Sequence, residues 1–209
     1  MDYSEIVREA CVENVDQALQ AQQLGADRIE LCDRLDLDGL TPPDETIAEA
    51  VRLLAIPVKV MIRPRGGDFN YNPDEIAVML DSIDYCKRQN VSGVVFGAVN
   101  DSGDLDMESI GLLADRAAPM EVTIHKAIDQ VNDPVDAVSK LKSLPNISAV
   151  LTSGKAPTAK EGKEVLREMI QMAGDSLNII VAGKVKADNI EALHREINAR
   201  EYHGRKIVG

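Results

Sequence analysis

Short runs of β-branched residues alternate with segments of helical periodicity along this chain, and the unit returns about every 25 to 30 residues. Strands that alternate with amphipathic helices are typical of right-handed βαβ units, which place their strands in a parallel sheet. Eight such runs predict strands, at Ile6–Val12, Asp27–Cys32, Val58–Ile62, Gly93–Phe96, Met120–His125, Ile147–Thr152, Leu177–Val181 and Glu201–His203.

The segments between the strands have one apolar face and recognisable starting signals. The clearest helices are predicted at Asp44–Leu54, Asp74–Lys87 and Met107–Ala117. A side-chain acceptor followed by proline is typical of a helix start, because the acceptor caps the free N–H groups of the first turn. Helix caps are predicted at Thr41-Pro42, Asn72-Pro73, Asp133-Pro134, Asp106 and Thr158.

Eight β/α units of this length are best accommodated by one closed domain. We expect an α/β fold, a parallel (β/α)8 TIM-like barrel covering residues 1–209. The alternative is an open doubly wound sheet, but no Gly-x-Gly-x-x-Gly turn follows the first strand, where Glu13-Asn14-Val15-Asp16 stands instead. The chain ends six residues after His203. We therefore expect a barrel without its eighth helix, or a chain cut short before it.

Composition excludes several classes of function. The formal charge of −12 at pH 7 argues against nucleic-acid binding, which needs clustered Lys and Arg. No run approaches the ~20 apolar residues that cross a bilayer, and the N-terminal segment MDYSEIVREA lacks the apolar core of a signal peptide. The three cysteines are an odd number, which argues against a disulfide framework. We expect a cytoplasmic protein that binds neither membrane nor nucleic acid.

Reactive side chains cluster at the carboxyl ends of the predicted strands, where β/α barrels hold their functional sites. Glu9 and Cys11 point to the same side of the first strand, and Glu30 and Cys32 do so on the second. Parallel neighbours lie about 4.8 Å apart, so two inward-pointing pairs would face each other at matching positions. The expected partners of the two acids are Arg63, His125 and His203.

Two interpretations of these groups stay open. Glu9 and Glu30 form either a structural ion-pair network or part of a catalytic site, and each cysteine is either a small apolar filler or a ligand. In a catalytic site His125 is the candidate general acid and base, with Glu30 or Glu9 as its partner, and His203 is a further catalytic candidate. The two remaining residues of this kind lie on helices; we interpret Cys86 as a packing residue and His194 as solvent-exposed.

A second set of groups at the same rim is suited to hold an anion. Arg63 and Arg65 precede two glycines, which free the backbone for close approach, although the same stretch could be only a turn. Loops after the seventh and eighth strands often bind phosphate in barrels of this type. The candidate anion-binding residues are Arg63, Arg65, Ser153 and Lys184.

Several motifs, in order along nearly the whole chain, resemble the signature of the CutC copper-homeostasis family. They are VKVMIRPRGGDF at 58–69, GADRIELC at 25–32, GLTP at 39–42, LTSG at 151–154, His125 with Ala127 and Asp129, and His203-Gly204. The resemblance implies a β/α barrel, a cytoplasmic location, a role in copper tolerance and trafficking, and copper ligands at Cys11 and Cys32. Departures from the family pattern are Lys126, Lys184 and Arg205.

Two functions follow from these observations. The first is copper homeostasis, in which Cu(I), a soft ion that prefers thiolates, binds Cys11 and Cys32. The alternative is an enzyme that acts on a small anionic metabolite, bearing phosphate or carboxylate, at the rim of the barrel; a barrel that only scaffolds partners is a third. A missing eighth helix would leave apolar barrel surface to cover, so we also expect a homo-oligomer.

Overall fold

The strands form a closed ring in which every neighbouring pair runs parallel. The computed structural model describes residues 6–209. β1 pairs with β2 on one side and with β8 on the other, so the expected barrel is confirmed and the open sheet is excluded. The strands are β1 (Val7–Val12), β2 (Arg28–Leu31), β3 (Val58–Met61), β4 (Gly93–Phe96), β5 (Glu121–Ile124), β6 (Ile147–Thr152), β7 (Asn178–Val181) and β8 (Glu201–Gly204).

Helices surround the ring, and most of them start where the sequence predicts. At α3 the Asn72 side chain accepts from the Glu75 N–H while the Glu75 carboxylate accepts from the Asn72 N–H. Asp106 and Asp133 cap α4 and α5. No helix in the described range is long and apolar enough to cross a membrane. The helices of residues 6–209 are α1 (Val15–Gln23), α2 (Asp44–Leu53), α3 (Pro73–Gln89), α4 (Met107–Ala117), α5 (Pro134–Leu141), α6 (Lys163–Ala173) and α7 (Ile190–Ile197).

Two predicted helix starts are wrong. Thr41 does not cap α2, because that helix begins after Pro43 and the Thr41 hydroxyl accepts from the Arg63 N–H at 2.8 Å instead. Thr158 does not cap α6, which begins after Gly162; its hydroxyl accepts from the Glu161 N–H in a separate turn. A threonine hydroxyl hydrogen-bonds to backbone groups in loops as readily as at helix ends. The local sequence does not distinguish these two kinds of hydrogen bond.

The chain after β8 carries no α-helix in residues 205–209. These residues pack on the outside of the barrel, where Ile207 is buried in the same apolar cluster as Ala10, Val12 and Tyr202. Those three residues alternate with the inward-facing positions of β1 and β8, so they point outward. The outward-facing apolar residues Ala10, Val12 and Tyr202 of β1 and β8 are thus buried within residues 6–209.

Alternate residues of the strands face two different environments. The outward-facing residues pack against the helices in one large aliphatic cluster. The interior is partly apolar, through Met61, Val95 and Leu151, although most barrels fill it with such residues throughout. Here it also holds the fully or nearly fully buried polar side chains Glu9, Glu30, Lys59, Thr123 and Glu201.

Candidate functional site

A cavity of about 760 Å³ opens at the carboxyl ends of the strands. Most of the side chains that the sequence selects meet there, from six different strands and the loops after them. Glu9, Arg65 and Ser153 do not line the cavity. The selected residues that line it are Cys11, Glu30, Cys32, Arg63, His125, Lys184 and His203.

The two acid–thiol pairs on β1 and β2 are offset from each other by two residues. In the register of the two strands Glu9 is paired with Arg28, and Cys11 is paired with Glu30. Cys32 therefore lies two residues beyond the β2 residue that is paired with Cys11. The expectation that the pairs occupy matching positions is therefore wrong. Strands of a closed barrel tilt against its axis, which staggers the register between neighbours. The stagger places the Glu30 carboxyl opposite Cys11 on the neighbouring strand.

Glu9 lies beneath the cavity in a buried ion network. Its carboxylate accepts from Arg28 Nε at 2.5 Å and lies 2.8 Å from His203 Nδ1. Burial alone would raise the pKa of Glu9, but the hydrogen bond from His203 and the charge of Arg28 lower it to about 2. Arg28 also donates to Glu201 at 2.5 Å. The expected partner Arg63 takes no part, because it lies at the opposite end of its strand from this layer.

Sequence reasoning missed three members of the interior network. Arg28 and Glu201 flank Glu9, and Lys59 donates to Thr123 at 3.0 Å and pairs with Glu121 at 3.1 Å. The signal was available in the two-residue period of the strands. Arg28 precedes Glu30, Lys59 precedes Met61 and Glu201 precedes His203 by two positions, so each points inward with the residue that follows.

Glu30 connects the histidine to the thiols. Its Oε2 atom lies 3.6 Å from His203 Nε2 and 3.4 Å from Cys32 Sγ, while Oε1 is buried without a partner in the described chain. Burial raises the pKa of Glu30 to about 8. For His203, burial opposes protonation, but the charge of Glu30 and the hydrogen bonds with Cys11 and Glu9 outweigh it and place the pKa well above the usual value. His203 therefore holds a proton between two acids.

The two thiols have opposite tendencies. The hydrogen bond from Cys32, acting against burial and together with His203, lowers the pKa of Cys11 well below its usual value. The same hydrogen bond, with burial, raises the pKa of Cys32 well above it. Both cysteines are free and buried. A ligand atom from each of Cys11, Glu30 and Cys32 can lie within 4.8 Å of the others.

Arg63 and His125 lie on another wall of the cavity and contact neither glutamate. Arg63 donates to the carbonyl groups of Leu37 and Gly67, both at 2.8 Å. His125 accepts from the Ala127 N–H through Nδ1 at 3.2 Å and lies against Phe69. The prediction that these residues partner the buried acids is wrong, since they stand at the top of β3 and β5, above the level of Glu9 and away from Glu30.

The remaining anion-binding candidates have different surroundings. Arg65 pairs with Glu75 at 2.5 Å and with Asp68 at 2.9 Å, so its charge is compensated within its own loop. The Ser153 hydroxyl contacts Asp129 at 3.0 Å and lies in a loop that Asp129 organises, together with Lys126. Lys184 is exposed and takes a left-handed backbone conformation, with φ of 58°, at the cavity mouth.

Cys86 and His194, the two residues that the sequence places on helices away from the site, have different surroundings. Cys86 is buried against the apolar core on α3, as interpreted. His194 is not simply solvent-exposed, since it is half-buried and its Nδ1 lies 3.1 Å from the Tyr202 hydroxyl, with the rings arranged edge to face. That contact joins α7 to β8, which the sequence does not reveal because the two residues come together only across a packed layer.

The site combines a soft donor set with a positively charged mouth. Two thiols and one carboxylate can hold a thiophilic metal ion. His203 Nδ1 lies 2.8 Å from Glu9, whereas Nε2 lies 3.6 Å from Glu30, at ion-pair distance, and also faces the Cys11 thiol. Three carboxylates line the cavity, on Glu30, Asp38 and Asp129. Against them stand six cationic side chains, on Arg63, Lys126, Lys184, Lys186, Arg205 and Lys206.

Comparison with known proteins places the chain in a family. The model of the CutC family matches residues 6–208. A family protein CutC of Glaesserella parasuis is 37% identical over 93% of this chain and 80% of its own length, and one of Mesorhizobium japonicum is 39% identical over 93% and 75%. The crystal structure of a CutC protein of Streptococcus agalactiae, which carries a provisional copper-homeostasis name, covers 97% of this chain and 100% of its own, with a TM-score of 0.92 and 28% identity. Dihydrodipicolinate synthase of Aquifex aeolicus, at 14% identity over 95% of this chain and 69% of its own, with a TM-score of 0.68, shares only the fold. The chain belongs to the CutC family.

Proposed function

We propose that this protein serves copper homeostasis by binding Cu(I) through Cys11 and Cys32 in the cavity of the barrel. One observation carries the proposal: the sulfur atoms of the two cysteines and a Glu30 oxygen can lie within 4.8 Å of one another. Soft thiolates are the ligands that Cu(I) prefers. The copper-homeostasis name of the related protein from Streptococcus agalactiae supports the same assignment.

The surroundings of the thiols suit an ion that is taken up and released as cargo. Cys11 tends toward the thiolate while Cys32 keeps its proton, so Cu(I) binding to both sulfurs would release a proton from Cys32. The unpartnered Oε1 atom of Glu30 offers a further donor beside the sulfurs. Both cysteines are free, and the cytoplasm, where we place the protein, keeps thiols reduced.

Anaerobic titration with Cu(I) against a competing chelator tests this function. We expect the wild type to bind one Cu(I) per chain, and the variant Cys11→Ser/Cys32→Ser to lose more than about a hundredfold in affinity, since loss of outer-shell partners alone costs 10–100-fold. Cys86→Ser is the matched control, because that thiol is buried on α3 away from the cavity. Unchanged affinity in the double variant would falsify the thiol site.

A second candidate function is an enzyme that acts on a small anionic metabolite in the same cavity. The observation that favours it is the excess of cationic over acidic side chains in the cavity wall, on a chain whose net charge is −12. A volume of about 760 Å³ lies in the range of sites for small organic molecules. Glu30 and His203, whose side chains lie 3.6 Å apart at the floor, are the proposed proton-transfer groups.

A further inference from the structure

Two buried residues on one wall of the cavity carry nitrogen atoms without any hydrogen-bond partner in residues 6–209. The atoms are Arg63 Nε and His125 Nε2. Both residues line the cavity, and only 3% of Arg63 and 4% of His125 is exposed. Buried polar atoms are nearly always paired in folded proteins, so unpaired ones on a cavity wall point to a partner supplied by a bound molecule.

His125 presents a donor at its unpaired nitrogen. Nδ1 accepts from the Ala127 N–H at 3.2 Å, so that nitrogen carries no proton. Burial, with the charge of Arg63, lowers the pKa of His125 to about 3, which leaves the ring neutral with its proton on Nε2. The ring orientation depends on Gly97, where a Cβ atom would lie 2.8 Å from Nδ1. The missing partner of Nε2 is therefore an acceptor.

Arg63 is a buried cation whose charge no carboxylate compensates in the described chain. Nη1 donates to the Leu37 carbonyl at 2.8 Å and the Gly39 carbonyl at 3.1 Å, and Nη2 to the Gly67 carbonyl at 2.8 Å. These three bonds hold the guanidinium in place and leave Nε–H without a hydrogen bond, while the neutral Tyr71 hydroxyl, also unpaired, is the nearby polar group within reach of the Arg63 charge. A buried positive charge is costly unless an anion accompanies it. The missing partner of Arg63 is therefore expected to be negatively charged.

Phe69 joins the two donors into one wall. The Arg63 guanidinium carbon lies 4.7 Å from the centre of the Phe69 ring, and the His125 ring centre lies 4.6 Å from it. The aromatic ring is part of the cavity lining, so it offers apolar surface beside two polar contacts. Small organic ligands are held in this way, by apolar walls with a few placed polar groups.

We propose that Arg63 and His125 bind the carboxylate or phosphate group of a small organic molecule, whose oxygens accept hydrogen bonds from Arg63 Nε and His125 Nε2. The inference deepens the second candidate function, on which it rests for the charge of the ligand. It gives His125 a role in holding the ligand, in place of the proton transfer that the sequence suggests. Lys126, Lys184 and Lys186 at the mouth would attract the same charge.

Titration of the metal-free full chain with orthophosphate, pyruvate and glycerol 3-phosphate tests the proposal, by calorimetry and by the ¹⁵N signal of His125 Nε2. His125→Asn keeps an oxygen acceptor for the Ala127 N–H but is too short to place an N–H at the position of Nε2, whereas the longer amide of His125→Gln can place an N–H donor there. We expect at least one probe to bind and to shift the Nε2 signal. His125→Asn should weaken that binding about tenfold or more, equivalent to about 1.4 kcal/mol, while His125→Gln keeps most of it.

The control is Arg52→Gln, an exposed arginine on α2 outside the cavity, which should leave binding unchanged. Absence of binding by all three probes, or equal binding by His125→Asn, overturns the proposal. If His125→Asn fails to fold, an Nε2 signal that does not move in the wild type overturns it as well. No copper is present and no turnover is measured, so failure here is separate from failure of the copper site or of catalysis.

Discussion

His203 Nδ1 lies 2.8 Å from Glu9 Oε1, although the two residues are 194 positions apart in the chain. The contact joins the last strand of the barrel to the first, directly beside the backbone pairing of the same two residues. It holds the His203 ring at the cavity floor, where the other ring nitrogen lies 3.6 Å from Glu30. One histidine thus links the last strand to the first and contacts both buried acids.

We expect His203→Gln to lower the free energy of unfolding by about 2–4 kcal/mol near pH 6, because it leaves Glu9 as a buried carboxylate with one cationic partner fewer. The pKa of His203 is raised in the folded state, so its stabilising contribution is complete below the unfolded value near 6.5 and is lost as the pH rises through the folded value. The deficit of the variant should therefore shrink toward alkaline pH. Urea unfolding of both proteins at pH 6 and above pH 9 measures it.

The control for this variant is Arg200→Gln, since the pair of Arg200 with Asp175 is exposed at 3.4 Å. An exposed pair contributes little, so a change within about 0.5 kcal/mol is expected at every pH. A deficit of His203→Gln that grows with pH would contradict the assignment of a protonated imidazole.

The opposite tendencies of the two thiols predict selective alkylation. Iodoacetamide reacts with the thiolate, so at pH 7 we expect Cys11 to be modified before Cys32, whose pKa is raised. Cys86 serves as an internal control, because burial raises the pKa of its thiol to about 12 and it should stay unmodified in the folded chain. Peptide mapping by mass spectrometry measures all three rates at once, and modification of Cys32 ahead of Cys11 would show that the assignment is reversed.

Self-association remains a prediction with a different physical basis from the one that the sequence suggests. The outward-facing Ala10, Val12 and Tyr202 of β1 and β8 are buried within residues 6–209, so uncovered apolar barrel surface at these strands gives no reason for it. Leu24 and Leu53, at the ends of α1 and α2, are 50% and 39% exposed, and Gln22 ties these ends together by accepting from the Ala55 N–H. We propose these two exposed leucines, on helix ends that are joined to each other, as part of the contact surface.

Light scattering after size-exclusion chromatography is expected to give a multiple of 22.7 kDa for the wild type. Leu24→Lys/Leu53→Lys should shift the protein toward the monomer, while Val78→Lys, an equally exposed apolar residue on α3, should not. A single species of 22.7 kDa in the wild type would remove the prediction.

Strand positions were predictable because their signal is local. The eight predicted runs agree with β1–β8 to within one residue at each end, since β-branched clusters and their flanking turns act over a few neighbours. The inward direction of Glu9, Cys11, Glu30 and Cys32 was predictable for the same reason, as it follows from the two-residue period. The predicted helix caps at Thr41 and Thr158 were wrong because each hydroxyl accepts a hydrogen bond from a backbone N–H outside the first turn of a helix.

The sequence by itself determined the β/α order, the inward side of each strand and the rim at which the reactive groups collect. Only the tertiary structure decided which of them are neighbours: Cys11 beside Glu30, Glu9 with Arg28 and His203, and Arg63 with Phe69 and His125. The reason is geometric. Period and propensity act along one strand, whereas the stagger between tilted strands is set when the whole ring closes.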